Sequence, residues 1–158
     1  ADAMQDRDGM IQLQRELIAA QPDNPEPKVD LAMSLARFSD RIDEAEQLIA
    51  GIHPNGLPEI FSAGLAYTRG LIAQARQDHA TAARELKKSA AIFQVHPLPL
   101  AFAIGCEIRG YLAISLKALG KHAEAEALWR AVWPVLAHHG CDAMQQRYTA
   151  AGGTQRAM

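Results

Sequence analysis

The sequence is short of the features that mark several large protein classes. No run in it alternates apolar and polar residues, and no stretch is enriched in β-branched residues, so nothing reads as a strand. No apolar run approaches the roughly 18–20 residues needed to cross a bilayer, which argues against a membrane-inserted helix. There are two cysteines, Cys106 and Cys141, too few for a disulfide framework. One reads as a buried small hydrophobe and the other as a thiol near the C-terminus, with a single disulfide as the alternative. An excess of charge of one sign is also missing. Sixteen Lys and Arg face 18 Asp and Glu, a formal net charge of −2, and this excludes a broad electrostatic attraction to nucleic acid. The chain opens ADAMQDRDG without an initiator Met, which reads as a processed product or an excised fragment and leaves the compartment open between cytoplasm and periplasm.

What is present points to helix. The 158 residues suffice for one domain with a real core, and abundant alanine favours helical backbone. Proline, glycine and polar clusters cut the chain at Gln21–Pro27, Phe38–Asp40, His53–Pro58, Arg76–Asp78, Gln94–Pro99, Leu119–Lys121 and His138–Gly140. The segments between them, 5–20, 26–38, 41–52, 58–76, 79–94, 98–119 and 121–139, have helical length. A weaker one, 141–150, precedes a polar tail that runs to 158. Ala45, Leu48, Ile49 and Ile52 mark one helix face; Ala82, Leu86, Ser89 and Phe93 mark another, and Ala125, Leu128, Trp129, Val132 and Leu136 a third. Asp40 and Asp78 stand where a short carboxylate can accept bonds from free helix N–H groups. Pro134, inside the last long segment, predicts a kink or a break after Trp133.

Three turns share a design: SDRIDEA (Ser39–Ala45), RQDHATA (Arg76–Ala82) and LGKHAEA (Leu119–Ala125). Each sets Ile42, His79 or His122 three residues before a small Ala, and a bulky Ile49, Leu86 or Trp129 four residues after it. The small residue suits a close helix crossing, and the bulky one suits the core between pairs. With Gly120, Ala125 and Trp129, with Gly70 on the preceding helix of the middle pair, and with Pro22-Asp23-Asn24 as a repeat-ending turn, the chain resembles the tetratricopeptide repeat family, as a divergent, bacterial-type array. The resemblance covers about residues 5–137. The family repeat is about 34 residues; here Ala45 to Ala82 is 37 residues and Ala82 to Ala125 is 43. It implies an all-α, right-handed superhelix of antiparallel helix pairs (26–52, 58–94 and 98–139) in one domain over 1–158. Residues 5–20 then read as the second helix of a pair without its first. A terminal helix of this kind needs a neighbour over its apolar face. The expectation is a start inside a longer array, or packing on another copy there.

No constellation of catalytic residues stands out, and the chain reads as a non-enzyme without a cofactor. It has no glycine-rich phosphate loop, no H-E-x-x-H and no G-x-S-x-G. The acids in SDRIDEAE (Ser39–Glu46) belong to a first helical turn. His138, His139 and Cys141 cluster at a helix end, but adjacent helical histidines diverge by about 100°, so no metal is expected. His79 and His122 read as turn packing, with a pH-sensitive hinge as the functional alternative. Arg84, Lys87 and Lys88 read as a solvated helix face rather than a nucleic-acid site.

The face of the first helices remains. In the family that this chain resembles, that face lines a concave groove for peptides. Carried across, it nominates Asp30, Ser34 and Arg37 on the first pair, Tyr67, Leu71 and Gln74 on the second, and Glu107, Ile114 and Lys117 on the third. The Lys/Asn/Arg clamp that some members use for a C-terminal carboxylate is not present. The functional expectation is a scaffold that binds a protein or peptide partner through this groove. The alternative is an assembly module that packs on itself through the N-terminal helix or on a neighbouring domain. Taken as exposed, Tyr67 and Arg37 should both tolerate alanine with little effect on folding.

Overall fold

The computed structural model describes residues 3–38, 41–95 and 99–151. Among them are eight α-helices, a single 3-10 turn at Pro54–Gly56, and no sheet. The helices are α1 (Ala3–Ala20), α2 (Glu26–Phe38), α3 (Ile42–Ile49), α4 (Glu59–Ala75), α5 (His79–Val95), α6 (Pro99–Ala118), α7 (His122–His138) and α8 (Asp142–Ala151). They pack sequentially in antiparallel pairs.

The turns follow from backbone chemistry. Gln77, Gly120 and Gly140 take left-handed conformations, with φ of 64°, 80° and 73°. In each case the next residue donates back into the finished helix: Asp78 N to Ala73 O at 2.9 Å, Lys121 N to Leu116 O at 2.9 Å and Cys141 N to Leu136 O at 3.1 Å. The bond satisfies a helix-end carbonyl that would otherwise lack a donor. Asp78 then caps α5, its Oδ1 accepting from the Thr81 N–H at 3.2 Å. That bonding with Thr81 holds the Asp78 carboxyl below its usual value. Asp40, named for the same role, lies outside the described residues.

Two helices differ from expectation. α3 ends at Ile49 rather than at residue 52, because the chain turns over Gly51 (φ 77°) and Ile52 packs from outside the helix. α7 runs unbroken from His122 to His138 through Pro134, so no break follows Trp133. Pro134 is exposed and so is Arg130, whose carbonyl loses its helical donor, so water can replace the missing bond.

Small residues set the close approaches. Ala45, Ala82 and Ala125 are all fully buried, and the bulky residues four further on, Ile49, Leu86 and Trp129, are buried beside them. A Cβ at Gly70 would lie 2.7 Å from Leu86 Cγ, and one at Gly110 would lie 2.5 Å from Met144 Sδ, so α4 meets α5 and α6 meets α8 through glycine. The apolar interior falls into two clusters. One spans α1 to α3 and takes Leu65 and Ile72 from α4; the other runs from α4 to α8. α4 serves both, and from Ala63 to Gln74 only Arg69 is not buried.

Two variants test this packing. Ala125→Leu should overpack its crossing and lower stability by about 1–3 kcal/mol in urea unfolding; an unchanged midpoint would refute the close crossing. Gln77→Gly removes a strained left-handed side chain at an exposed turn, at the cost of one exposed contact with His79. It should raise stability by about 0.5–1 kcal/mol, seen as a melting-temperature increase of about 1–4 °C in calorimetry.

Candidate interaction surface

Helix phase puts the nominated residues of each of α2, α4 and α6 on one face of their own helix, but most of them are not available to a ligand. Tyr67 is fully buried, and Ser34, Leu71, Gln74, Ile114 and Lys117 are buried as well. Arg37 and Glu107 keep side-chain exposures of 19% each. Only Asp30 joins them in partial exposure. The expectation that Tyr67 and Arg37 are freely exposed is therefore corrected.

The reason is that helices from non-adjacent positions reach one another. Arg37 of α2 donates through Nε and Nη2 to the two carboxylate oxygens of Glu107 on α6, both at 2.8 Å. Tyr67 of α4 donates its hydroxyl to Glu107 Oε1 at 2.5 Å. Burial pulls the Arg37 guanidinium down, but its bonds to Glu107 and that residue's charge outweigh this and hold it above its usual value. Burial first, then the charge of Glu107, push the phenols of Tyr67 and Tyr111 up, so Tyr67 is a hydrogen-bond donor at any ordinary pH.

A second crossing lies about two turns further along α4. Gln74 of α4 donates to Tyr111 O and Ser115 Oγ on α6, both at 2.8 Å. Its Oε1 accepts from Arg147 of α8 at 2.8 Å, and the Arg147 guanidinium lies 5.3 Å from the Tyr111 ring centroid. Lys117 points the same way. Its Nζ donates to Tyr148 O at 2.9 Å and sits 4.3 Å from the Tyr148 ring centroid, at the C-terminal end of α8 where a cation is favoured. Tyr148 stacks on Trp129 at 4.3 Å, and Trp129 on Trp133 at 5.3 Å. Thus α8 covers the α6 end of the nominated face. Sequence reasoning does not find Tyr111, Arg147 or Tyr148, and for the last two the signal is the weak segment 141–150.

The N-terminal end is different. On α1, Ile11 is buried, but Met10, Leu13 and Leu17 are 42%, 66% and 44% exposed. Their spacing of 0, +3 and +7 puts them on one stripe. The outward residues of α8 are Asp142, Ala143, Gln145, Gln146, Arg147 and Ala150, polar or small. The two ends of the helix series therefore present opposite surfaces. Spacing alone makes the α1 stripe legible in the sequence, but not its exposure.

The remaining candidates are accounted for by neighbours. Lys87 and Lys88 pair with Glu124 and Glu85, and Arg84 lies 3.9 Å from Glu85. His79 is 3.1 Å from Ser115 Oγ and 3.2 Å from Gln77 Oε1, which ties the turn before α5 to α6. His138 and His139 are exposed with their rings edge-on, and Cys106 and Cys141 are both free thiols. Among the described residues no group of three or more His, Cys, Asp and Glu could hold a metal. A cavity of about 420 Å³ opens beside Trp129, Trp133 and Tyr148, and one of about 520 Å³ lies among α3, α4 and α5. In the second, Arg76 pairs with Asp43 and Glu46, and Arg69 donates to Ile52 O.

No protein-family model matches the chain, and neither a curated protein nor a solved structure matches it.

The Glu107 bonding generates a stability test. Glu107→Ala leaves Arg37 largely buried without its counter-charge and should cost about 2–4 kcal/mol, reduced from the fully buried case because both side chains keep some solvent. Tyr67→Phe, which removes one bond, should cost about 1 kcal/mol. Chemical denaturation of both variants checks this, and near-zero changes would mean that Glu107 does not hold α2 and α4 to α6.

Proposed function

We propose that the chain is a protein-interaction scaffold. In this reading its helix pairs continue as a right-handed, tetratricopeptide-like superhelix, and the face of its first helices is the inside of the curve. The serial pairing and the three like turns support that geometry, and the lack of any catalytic or metal constellation in the sequence directs attention to surfaces. The carrying observation is the exposed stripe of Met10, Leu13 and Leu17. Exposed apolar side chains are ordinary singly, but three in helical register at the end of a stack are the pattern that another protein element covers. The middle of the same face is closed by Arg37, Tyr67 and Glu107, and the far end by α8. The partner surface is therefore the N-terminal stretch, where α1 borders Asp30 and Ser34.

A second reading, self-assembly through α1, rests on the same stripe. A photo-crosslinking amino acid placed at position 13 separates the two. Adducts of mixed mass in cells support partner binding; adducts at twice the protein's own mass support assembly. The control is the same probe at Arg84, on the exposed face of α5. Equal adducts from both positions, or none from position 13, would remove the N-terminal surface from the account.

A further inference from the structure

We propose that the N-terminal surface takes a basic amphipathic helix, one whose apolar side chains cover Met10, Leu13 and Leu17 and whose Lys or Arg residues meet the carboxylates around them. The inference rests on the scaffold reading and names the chemistry of its partner.

The register of α1 on α2 comes first. The two helices are antiparallel about the turn at residues 21–25, and Gln14 Nε2 donates to Ser34 Oγ at 3.2 Å. Helical geometry then puts Leu17 level with Asp30, one turn from that bond, and Met10 level with Arg37 on the other side. Leu17 and Met10 flank Gln14 on the α1 surface, and Asp30 precedes Ser34 by one turn on α2. The stripe and the Asp30 side of α2 thus border one strip of surface, open at this end of the helix series.

Acids predominate on that strip. Asp6 lies in the line of the stripe, Glu16 beside its edge away from α2 and Arg7 beside its edge toward α2, and Glu26 and Asp30 lie along the bordering side of α2. None of the four acids has an ion-pair partner among the described residues. The cations nearby are engaged already: Arg15 with Glu44 at 2.6 Å, Arg37 with Glu107, and Arg7, one turn before Met10, within its own surroundings. Asp30 is half-buried. Burial, with the Glu26 charge second, raises its carboxyl above the usual range, so its ionised form is costly as it stands. Gln14 Oε1 is buried without a hydrogen-bond donor. Asp30 and Gln14 Oε1 would be satisfied by a donor or cation brought from outside. A helix supplies that together with apolar anchors at i, i+3 and i+7, which match the stripe in period. A second copy of α1 carries Asp6, Asp8 and Glu16 against Arg7 and Arg15, and so brings no net positive charge to Glu26 and Asp30.

The test uses a fluorescein-labelled peptide of about 18 residues, with leucines at helical spacing flanked by lysines, and a matched peptide with glutamates in place of the lysines. Binding is read by anisotropy at moderate salt. The lysine peptide should bind, and the glutamate peptide should bind at least about tenfold more weakly. Leu13→Gln, at an exposed position that leaves the fold intact by circular dichroism, should abolish binding of the lysine peptide. Asp30→Asn should reduce the preference for lysine, whereas Asp142→Asn at the other end should not. Equal binding of both peptides, abolished by Leu13→Gln, would overturn the charge complementarity while leaving the scaffold surface standing. Lysine-peptide binding that Leu13→Gln does not weaken would overturn the site itself. Failure of both peptides to bind, with a concentration-dependent doubling of mass that Leu13→Gln removes, would also overturn the proposal and make a second copy the occupant.

Discussion

One carboxylate organises the middle of this protein. Glu107 receives three hydrogen bonds, two from Arg37 and one from Tyr67, and so joins α2, α4 and α6, one helix from each pair. Packing between neighbours alone would leave those pairs free to hinge about α4, because α2 and α6 belong to different apolar clusters. The ion pair spans that division. Its geometry is two-pronged, which fixes orientation as well as distance. Part of its cost in desolvation is met by Tyr67, whose hydroxyl adds a donor in a region from which water is largely excluded.

The helix beneath Glu107 explains why the bond can form. α4 is buried on nearly all sides, and its polar residues are answered internally. Thr68 donates to Gly64 O at 2.8 Å, Ser89 of α5 donates to Ala63 O at 2.7 Å, and Gln74 uses both ends of its amide. Small residues at Ala63, Gly64, Ala66 and Gly70 let its neighbours approach closely. Side chains on α2 and α6 can then reach over it rather than being held apart by it. A larger residue at Gly70 would meet Leu86 at once.

Much of this architecture is legible in the amino-acid sequence. The helices, the turns at Gly120 and Gly140 and the small Ala45, Ala82 and Ala125 follow from local punctuation and period, which act over a few residues. That Ser34 and Arg37 share a face of α2, Tyr67 and Gln74 one of α4, and Glu107 and Lys117 one of α6 also follows from helix phase. Their burial does not. It depends on Arg37 meeting Glu107 across 70 residues and Gln74 meeting Arg147 across 73, and no local pattern encodes contacts at that separation. Residue type misleads in the same way. Tyr and Arg in a row of polar positions suit an exposed binding face, and equally suit an internal network in which every group has a partner.

The contrast between the ends follows from the same network. At the C-terminal end α8 is drawn in by Lys117, Arg147 and the stack of Tyr148 on Trp129, and it turns polar residues outward. At the N-terminal end Arg37 directs its charge toward Glu107, and beyond it Ser34 bonds Gln14 while Asp30 has no ion-pair partner among the described residues. The internal bonding therefore stiffens the middle and closes it to ligands, and it leaves the uncompensated groups at one edge. On the scaffold reading, an edge that collects carboxylates and apolar side chains on a braced platform would need little reordering when a partner arrives. Association there would lose less to conformational entropy than a flexible groove would. The same cross-links that remove the central face from binding are what would prepare the N-terminal one.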